Sequence, residues 1–296
     1  MFHFSIKHIF KFTLTPSRFL VTHSARAVHR QNNILHGKPI AERILNRCKN
    51  ECEQFNEQYH RRPKLVAILV GGNESSKLYV RNKQRIAEHV GIAFQAINHL
   101  MHIAPSNLID TINRLNNDGT VDGIIVQLPL PLHLVDKTEN FIDAIRSDKD
   151  VDGHTTSNYN SYRHTSIPPI TIPVVAVVRE ILLEINEPLQ GKDVVIIGRS
   201  KYVDTPLALM LSQSMTDSKS SLISGATVTI CHRDTHLNNL TRYCKNADIV
   251  ISAVGRAKLV QHRMIKEGAV VIDVEVKRVA RWITPVPGDM PSSEST

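Results

Sequence analysis

Two hydrophobic periods alternate along this chain. Ile40, Ile44, Cys48, Cys52 and Phe55 recur every three or four residues, which predicts a helix over 40–60. Leu65 to Val70 is a short apolar run that meets Gly71-Gly72 and predicts a buried strand and turn. Residues 78–90 return to helical spacing, with Ser75 or Ser76 available as a cap. Ile92 to Ile97 predicts a second strand, and Leu108, Ile112 and Leu115 mark another helix. Gly123 to Gln127 predicts a third strand, halted by Leu128-Pro129-Leu130-Pro131. The polar stretch 153–171, closing near Pro168-Pro169, reads as an irregular connection. Beyond it come a helix from Val175 to Ile185, a strand from Asp193 to Ile197 ending in Gly198, and a helix over 203–213. A Ser- and Asp-rich loop covers 215–225; strands follow at 226–231, 248–253 and 269–274, with a helix near 236–245. Strands alternating with helices predict an α/β chain with parallel sheets. The two series separate around 150–170, and the second suggests a doubly wound nucleotide-binding domain.

Charge changes this picture at one end. The formal net charge is +8, yet residues 1–41 hold no acid and supply six of those charges: Lys7, Lys11, Arg18, Arg26, Arg30 and Lys38. Phe2, Phe4, Ile6, Ile9, Phe10, Phe12 and Leu14 are interleaved with them. An acid-free, amphipathic, Arg-containing start reads as a mitochondrial transit peptide; a basic arm touching nucleic acid or membrane is the competing reading. Without the arm the body is close to neutral, so nothing favours nucleic-acid binding. No apolar stretch approaches the roughly 18 residues that a membrane span requires. Cys48, Cys52, Cys231 and Cys244 form no C-x-x-C pair, which favours free buried thiols over zinc or disulfides.

Candidate chemistry in the first half is modest when taken residue by residue. Tyr79 and Lys83 lie four apart on one helix face. A pocketed Lys can serve as a base or proton relay, though exposed Tyr–Lys pairs are common. Gln127 ends a strand, where parallel sheets place their ligand crevices. Asp152 either satisfies backbone donors in its turn or binds an amide-like heterocycle edge through paired hydrogen bonds.

The pieces form a pattern when taken in order. Val70-Gly71-Gly72 with Ser76, Tyr79-Val80-Arg81-Asn82-Lys83, Val126-Gln127-Leu128-Pro129-Leu130-Pro131 and Lys149-Asp150-Val151-Asp152-Gly153 resemble the motifs of the bifunctional methylenetetrahydrofolate dehydrogenase/cyclohydrolase family. The resemblance implies oxidation of 5,10-methylenetetrahydrofolate by NAD or NADP, then hydrolysis of the methenyl product to 10-formyltetrahydrofolate. It implies that Lys83 is central to hydrolysis, that Gln127 assists, and that Tyr79 stacks on or orients the folate. Asp152 would hold the pterin, with Ser76 and Pro287 also on the substrate. In the second half Gly198-Arg199-Ser200, His232-Arg233 and the Ala247 to Gly255 run resemble the family's Rossmann domain. Gly198, Arg199, Ser200, Arg233 and Gly255 would then bind the cofactor.

An Arg after the second strand favours the 2′-phosphate of NADP. The mitochondrial branch, which the 215–225 insert and the Ser200-Lys201 and His232-Arg233 pairs resemble, instead uses NAD with inorganic phosphate and Mg2+. That branch has an Asp for the metal where this chain has Gly225, so no metal ligand is assigned. A homodimer and a mitochondrial matrix location are further implications of the resemblance.

Departures cluster in the cofactor half. Val174 stands where the family has Gly, and Asp204 replaces the Gly of the nucleotide loop, where a carboxylate would repel pyrophosphate. Ala257 replaces a Pro, and Glu275-Val276-Lys277 replaces Gly-Ile-Asn. After Val279 the chain passes almost directly to Ile283-Thr284-Pro285-Val286-Pro287-Gly288, so the family's closing helix is expected to be missing. The expected organisation is a transit peptide over 1–33, a three-layer-like folate-binding catalytic domain over 34–168, a doubly wound Rossmann NAD(P)-binding domain over 169–282 and a shortened segment over 283–296. The alternative to a working enzyme is an impaired or truncated relative that binds folate or a partner subunit.

Overall fold

A computed structural model describes residues 20–23, 34–163, 171–186, 188–213, 221–254 and 259–273. The described residues of 41–180 form one compact unit, and those of 17–40 and 181–296 form another.

In the first unit, strands β3 (Lys64–Val70), β4 (Ala93–His99) and β5 (Gly123–Val126) make a parallel sheet in the order β4-β3-β5. Helices α1 (Gly37–Tyr59), α2 (Glu74–His89) and α3 (Pro105–Asn117) alternate with them. Side chains of β3 alternate between faces. Val66, Ile68 and Val70 join Leu108, Ile112 and Leu115 in one core, while Leu65, Ala67 and Leu69 are buried on the other face. From Leu65 to Val70 the strand carries no polar residue, as burial on both faces demands. The cap of α2 differs from expectation. Asn73, not Ser75 or Ser76, is the N-cap, and its side chain accepts from both serine amides.

Two short helices escape the periodic pattern, α4 (Leu132–Val135) and α5 (Thr138–Asp143). They bring Leu134 and Phe141 into the core. The stretch 153–171 is not wholly irregular. Helix α6 (Thr156–Asn160) forms there, capped by Thr155 Oγ1 on the Asn158 amide. Tyr162 is fully buried and its hydroxyl accepts from the Ile172 amide.

In the second unit, β6 (Asp193–Ile197), β7 (Thr227–Cys231), β8 (Ile249–Ser252) and β9 (Val270–Asp273) run parallel in the order β9-β8-β6-β7. Helices α8 (Asp204–Ser212) and α9 (Leu237–Asn246) accompany them, and α7 (Pro173–Ile185) carries the chain from the first unit into the second. Two strands continue the sheet beyond β9: β1 (Leu20–His23), antiparallel to it, then β2 (Ile34–His36). β1 falls inside the segment read as a transit peptide. Val195, Ile197, Cys231, Leu240, Cys244, Val250 and Met264 share a core.

All four cysteines are free and buried. Burial pushes the Cys48 and Cys52 thiols up to about 12 and Cys244 up to about 11; it raises Cys231 as well. At pH 8 the thiolate is therefore scarce and shielded. A disulfide reagent should titrate four thiols in denaturant and none promptly in the native protein. A fast native thiol would contradict this burial. Among the described residues no helix is long and apolar enough to cross a membrane.

Candidate functional site

The chain climbs β3, crosses to β4, then returns to the far side of β3 as β5. In α/β sheets such a reversal marks a ligand crevice beyond the carboxyl ends of the strands, here those of β3 and β5. Gly71 sits at the end of β3 with φ +83°, a conformation that favours glycine, and its amide donates to His99 O. The Leu128-Pro129 peptide at the end of β5 is cis.

Lys83 lies on α2, the helix that follows β3. Its buried stripe is Ser76, Val80, Lys83 and Ala87, a helical period facing the sheet. Lys83 is only 8% exposed. Helical side chains lean towards the helix N-terminus, which directs the lysine stem back towards the crevice end. Tyr79, one turn earlier, remains 55% exposed. The pair thus combines a buried amine with a ring open to a ligand.

Gln127 follows β5. Its amide N–H donates to Ile68 O, and its side-chain Nε2 donates to Leu128 O at 2.8 Å. Its Oε1 is buried and has no hydrogen-bond partner. A buried acceptor left open is costly unless a ligand or water supplies the donor.

The Lys149 to Gly153 run divides its two carboxylates between different tasks. Ile124 bridges Asp150 in parallel, so the run extends the sheet beside β5 and carries Asp152 towards the same end. Asp150 is 1% exposed and accepts from the Gly153 amide, the Thr155 amide and Asn158 Nδ2, each at 2.9 Å. Asp152 is half-buried and no described residue donates a hydrogen bond to it. The turn's backbone donors are thus met by Asp150, which leaves Asp152 available to a ligand. Lys149 is buried too, its Nζ donating to Leu115 O and Asp118 O, and burial lowers its pKa. It anchors the run.

Sequence reasoning missed His154. Burial lowers its pKa, Asp152 and Asp150 oppose that, and Lys83 adds to it. Asp152, Asp150 and Lys83 therefore each lie within electrostatic reach of His154. No periodic or motif signal singles out His154, because it follows the run that carries the pattern. A cavity of about 200 Å³ among Lys49, Cys52, Glu53, Arg62, Glu88 and His89 lies elsewhere. It opens at the far end of α2, about 18 Å along the helix from Ser76.

In the second unit the sheet reverses at β6, so Gly198 stands at that unit's switch point. Gly198 has φ +146° and leads through Arg199 and Ser200 to α8. A strand, a glycine and a helix start fit a dinucleotide loop. Arg199 Nη2 pairs with Asp234 Oδ2 at 2.6 Å, and Arg233 Nε approaches Asp234 Oδ1 at 3.9 Å. Both expected arginines therefore meet one carboxylate that the motifs did not flag. Gly255, Ala257, Glu275 and Pro287 lie outside the described residues. Val174 is half-buried in the first turn of α7. Gly225 has φ +80° and no side chain to offer a metal. Among the described residues no three His, Cys, Asp or Glu side chains group as a metal site.

Comparison with known proteins places both units. Residues 35–152 match the family described as tetrahydrofolate dehydrogenase/cyclohydrolase, catalytic domain, and residues 173–293 match its NAD(P)-binding domain. The bifunctional protein FolD of Sulfurihydrogenibium is 39% identical over 274 residues, covering 86% of this chain and 90% of that protein. The mitochondrial bifunctional methylenetetrahydrofolate dehydrogenase/cyclohydrolase of Gallus gallus is 37% identical, covering 86% and 81%. Among solved structures, the silkworm 5,10-methylenetetrahydrofolate dehydrogenase superposes with a TM-score of 0.72 at 38% identity, covering 79% of this chain and 78% of its own. The Trypanosoma brucei enzyme, solved with NADP and an inhibitor, gives 0.74 at 31%, covering 86% and 82%.

Proposed function

The chain belongs to the tetrahydrofolate dehydrogenase/cyclohydrolase family, and from that premise we propose how its own residues carry one-carbon folate chemistry. The substrate is a tetrahydrofolate bearing a one-carbon bridge between two nitrogens. Its methylene form is oxidised to the methenyl form, which is hydrolysed to the 10-formyl form. When bound, NAD or NADP supplies the hydride acceptor for the oxidation.

The hydrolytic half is carried by one observation above all: a lysine 8% exposed, in the helix stripe that faces the sheet. Water adds to the methenyl carbon, one carbon–nitrogen bond breaks, and the released ring nitrogen takes a proton. Lys83 Nζ is the group that moves that proton. Gln127 Oε1, buried and open, accepts from the attacking water or from Lys83 and fixes its direction. Asp152 accepts paired hydrogen bonds from the amide-like edge of the pterin. Tyr79 lays its exposed ring along the folate. Ser76, 2% exposed, lines the entry to the same stripe.

This assignment of Gln127 predicts a kinetic split. Gln127→Ala should lower kcat for methenyl hydrolysis by about tenfold to a hundredfold while KM changes little. An unchanged kcat would remove Gln127 from the reaction.

In the nucleotide half, Arg199 and Arg233 suit the 2′-phosphate of NADP or an inorganic phosphate beside NAD. A magnesium ion accompanying that phosphate would need ligands other than Gly225. The acid-free arm and the chicken mitochondrial relative support a mitochondrial matrix location. A homodimer is proposed from the family resemblance. The second reading, a relative impaired in dinucleotide use, draws on one observation, the carboxylate of Asp204 within the nucleotide loop.

A further inference from the structure

The nucleotide loop already holds a carboxyl group. Asp204 is fully buried at the first position of α8, and its Oδ2 accepts from the Ser200 amide at 2.6 Å. A Cβ built on Gly198 would come within 2.5 Å of both Asp204 carboxylate oxygens. The bare face of Gly198, which in such loops lets a pyrophosphate approach the backbone, is thus covered by a carboxylate. The loop's donors are committed internally as well. The Tyr202 amide donates to Ser200 Oγ, and the Asp204 and Thr205 amides donate to Ser200 O. A phosphate at this turn would need the same amides and would meet the carboxyl oxygens of Asp204, which are tethered there and cannot diffuse away.

We propose that Asp204 is a tethered competitor of the dinucleotide: its carboxylate occupies the pyrophosphate position, so NAD or NADP binds only when that side chain is displaced. This rests on the reading of the second unit as a dinucleotide domain. Asp204 outweighs Asp234 in this respect. The Arg199–Asp234 pair is about half exposed on both sides and solvent-screened, so opening it costs little. The Asp204 carboxylate is buried against Gly198 and must leave its hydrogen bond to yield.

The test is a binding titration that does not depend on turnover. NADPH fluorescence and calorimetry with NAD and NADP would be recorded on the wild type, Asp204→Gly and Asp204→Asn. Methenyl hydrolysis by the same samples serves as the control for a folded first unit. Asp204→Gly should tighten both dinucleotides by about tenfold or more, the gain expected when a rarely open site becomes mostly open. Asp204→Asn, which keeps the shape and an acceptor but loses the charge, should give a smaller gain in the same direction. If Asp204→Gly unfolds, Asp204→Asn decides alone. Equal affinity in wild type and variants, or no dinucleotide binding by variants that hydrolyse normally, would overturn the proposal. Loss of hydrolysis in every sample would instead count against the folate reading.

Discussion

Lys83→Met should lower the rate of methenyltetrahydrofolate hydrolysis by about a hundredfold to ten-thousandfold. Methionine keeps most of the stem that packs beside Val80 and Ala87 and removes only the amine. The circular dichroism spectrum and melting temperature should therefore stay close to wild type, which separates lost chemistry from lost fold. Added primary amine in the buffer should recover part of the rate if Nζ is what is missing. A Lys83→Met variant with wild-type kcat would contradict the role given to this lysine.

Asp150→Ala should produce the largest loss of stability in the first unit. The Asp150 carboxylate, 1% exposed, holds three hydrogen bonds, and its removal leaves two buried amides without an acceptor and Asn158 Nδ2 with only its bond to Ser147 O. The cost should be about 3–4 kcal/mol. For a unit of this size that lowers Tm by about 10 °C. The same change releases the run that carries Asp152, so folate affinity should fall at temperatures where the variant remains folded. Denaturant titration and folate binding check both effects. Asp152→Ala should show the opposite split, weak binding with nearly normal stability. If Asp150→Ala melts like wild type, the division of labour between the two carboxylates is wrong.

That division marks the boundary of what the sequence reveals. Spacing alone places the strand over Asp193–Ile197 and the helix carrying Lys83, because long buried elements impose a strict period on their residues. The turn at Gly71 and the stop after Gln127 are equally plain from glycine and proline. The cap of α2 is misplaced by two or three residues because Asn73, Ser75 and Ser76 are all good caps. Only backbone geometry shows which side chain accepts. Helices α4 and α5 span four and six residues, too short to display a period. Asp150 and Asp152 are chemically alike, and burial, which seats Asp150 in the turn and leaves Asp152 partly open, is a tertiary property. His154 and Asp234 each stand one residue beyond a motif, so no pattern marks them although partners such as Asp152 and Arg233 are close in sequence. The reverse holds for Asp204. Its conflict with a phosphate is visible as a departure from the family pattern, while its seat on the bare face of Gly198 requires the structure.

The central claim is that the first unit holds a working folate site around Lys83, Gln127 and Asp152. The most direct measurement is the decay of methenyltetrahydrofolate absorbance with the full chain present, compared with the same buffer alone and with no dinucleotide added. The account predicts a protein-dependent rate that saturates with substrate and yields the 10-formyl product. A folded protein that leaves the buffer rate unchanged at all substrate concentrations would contradict it.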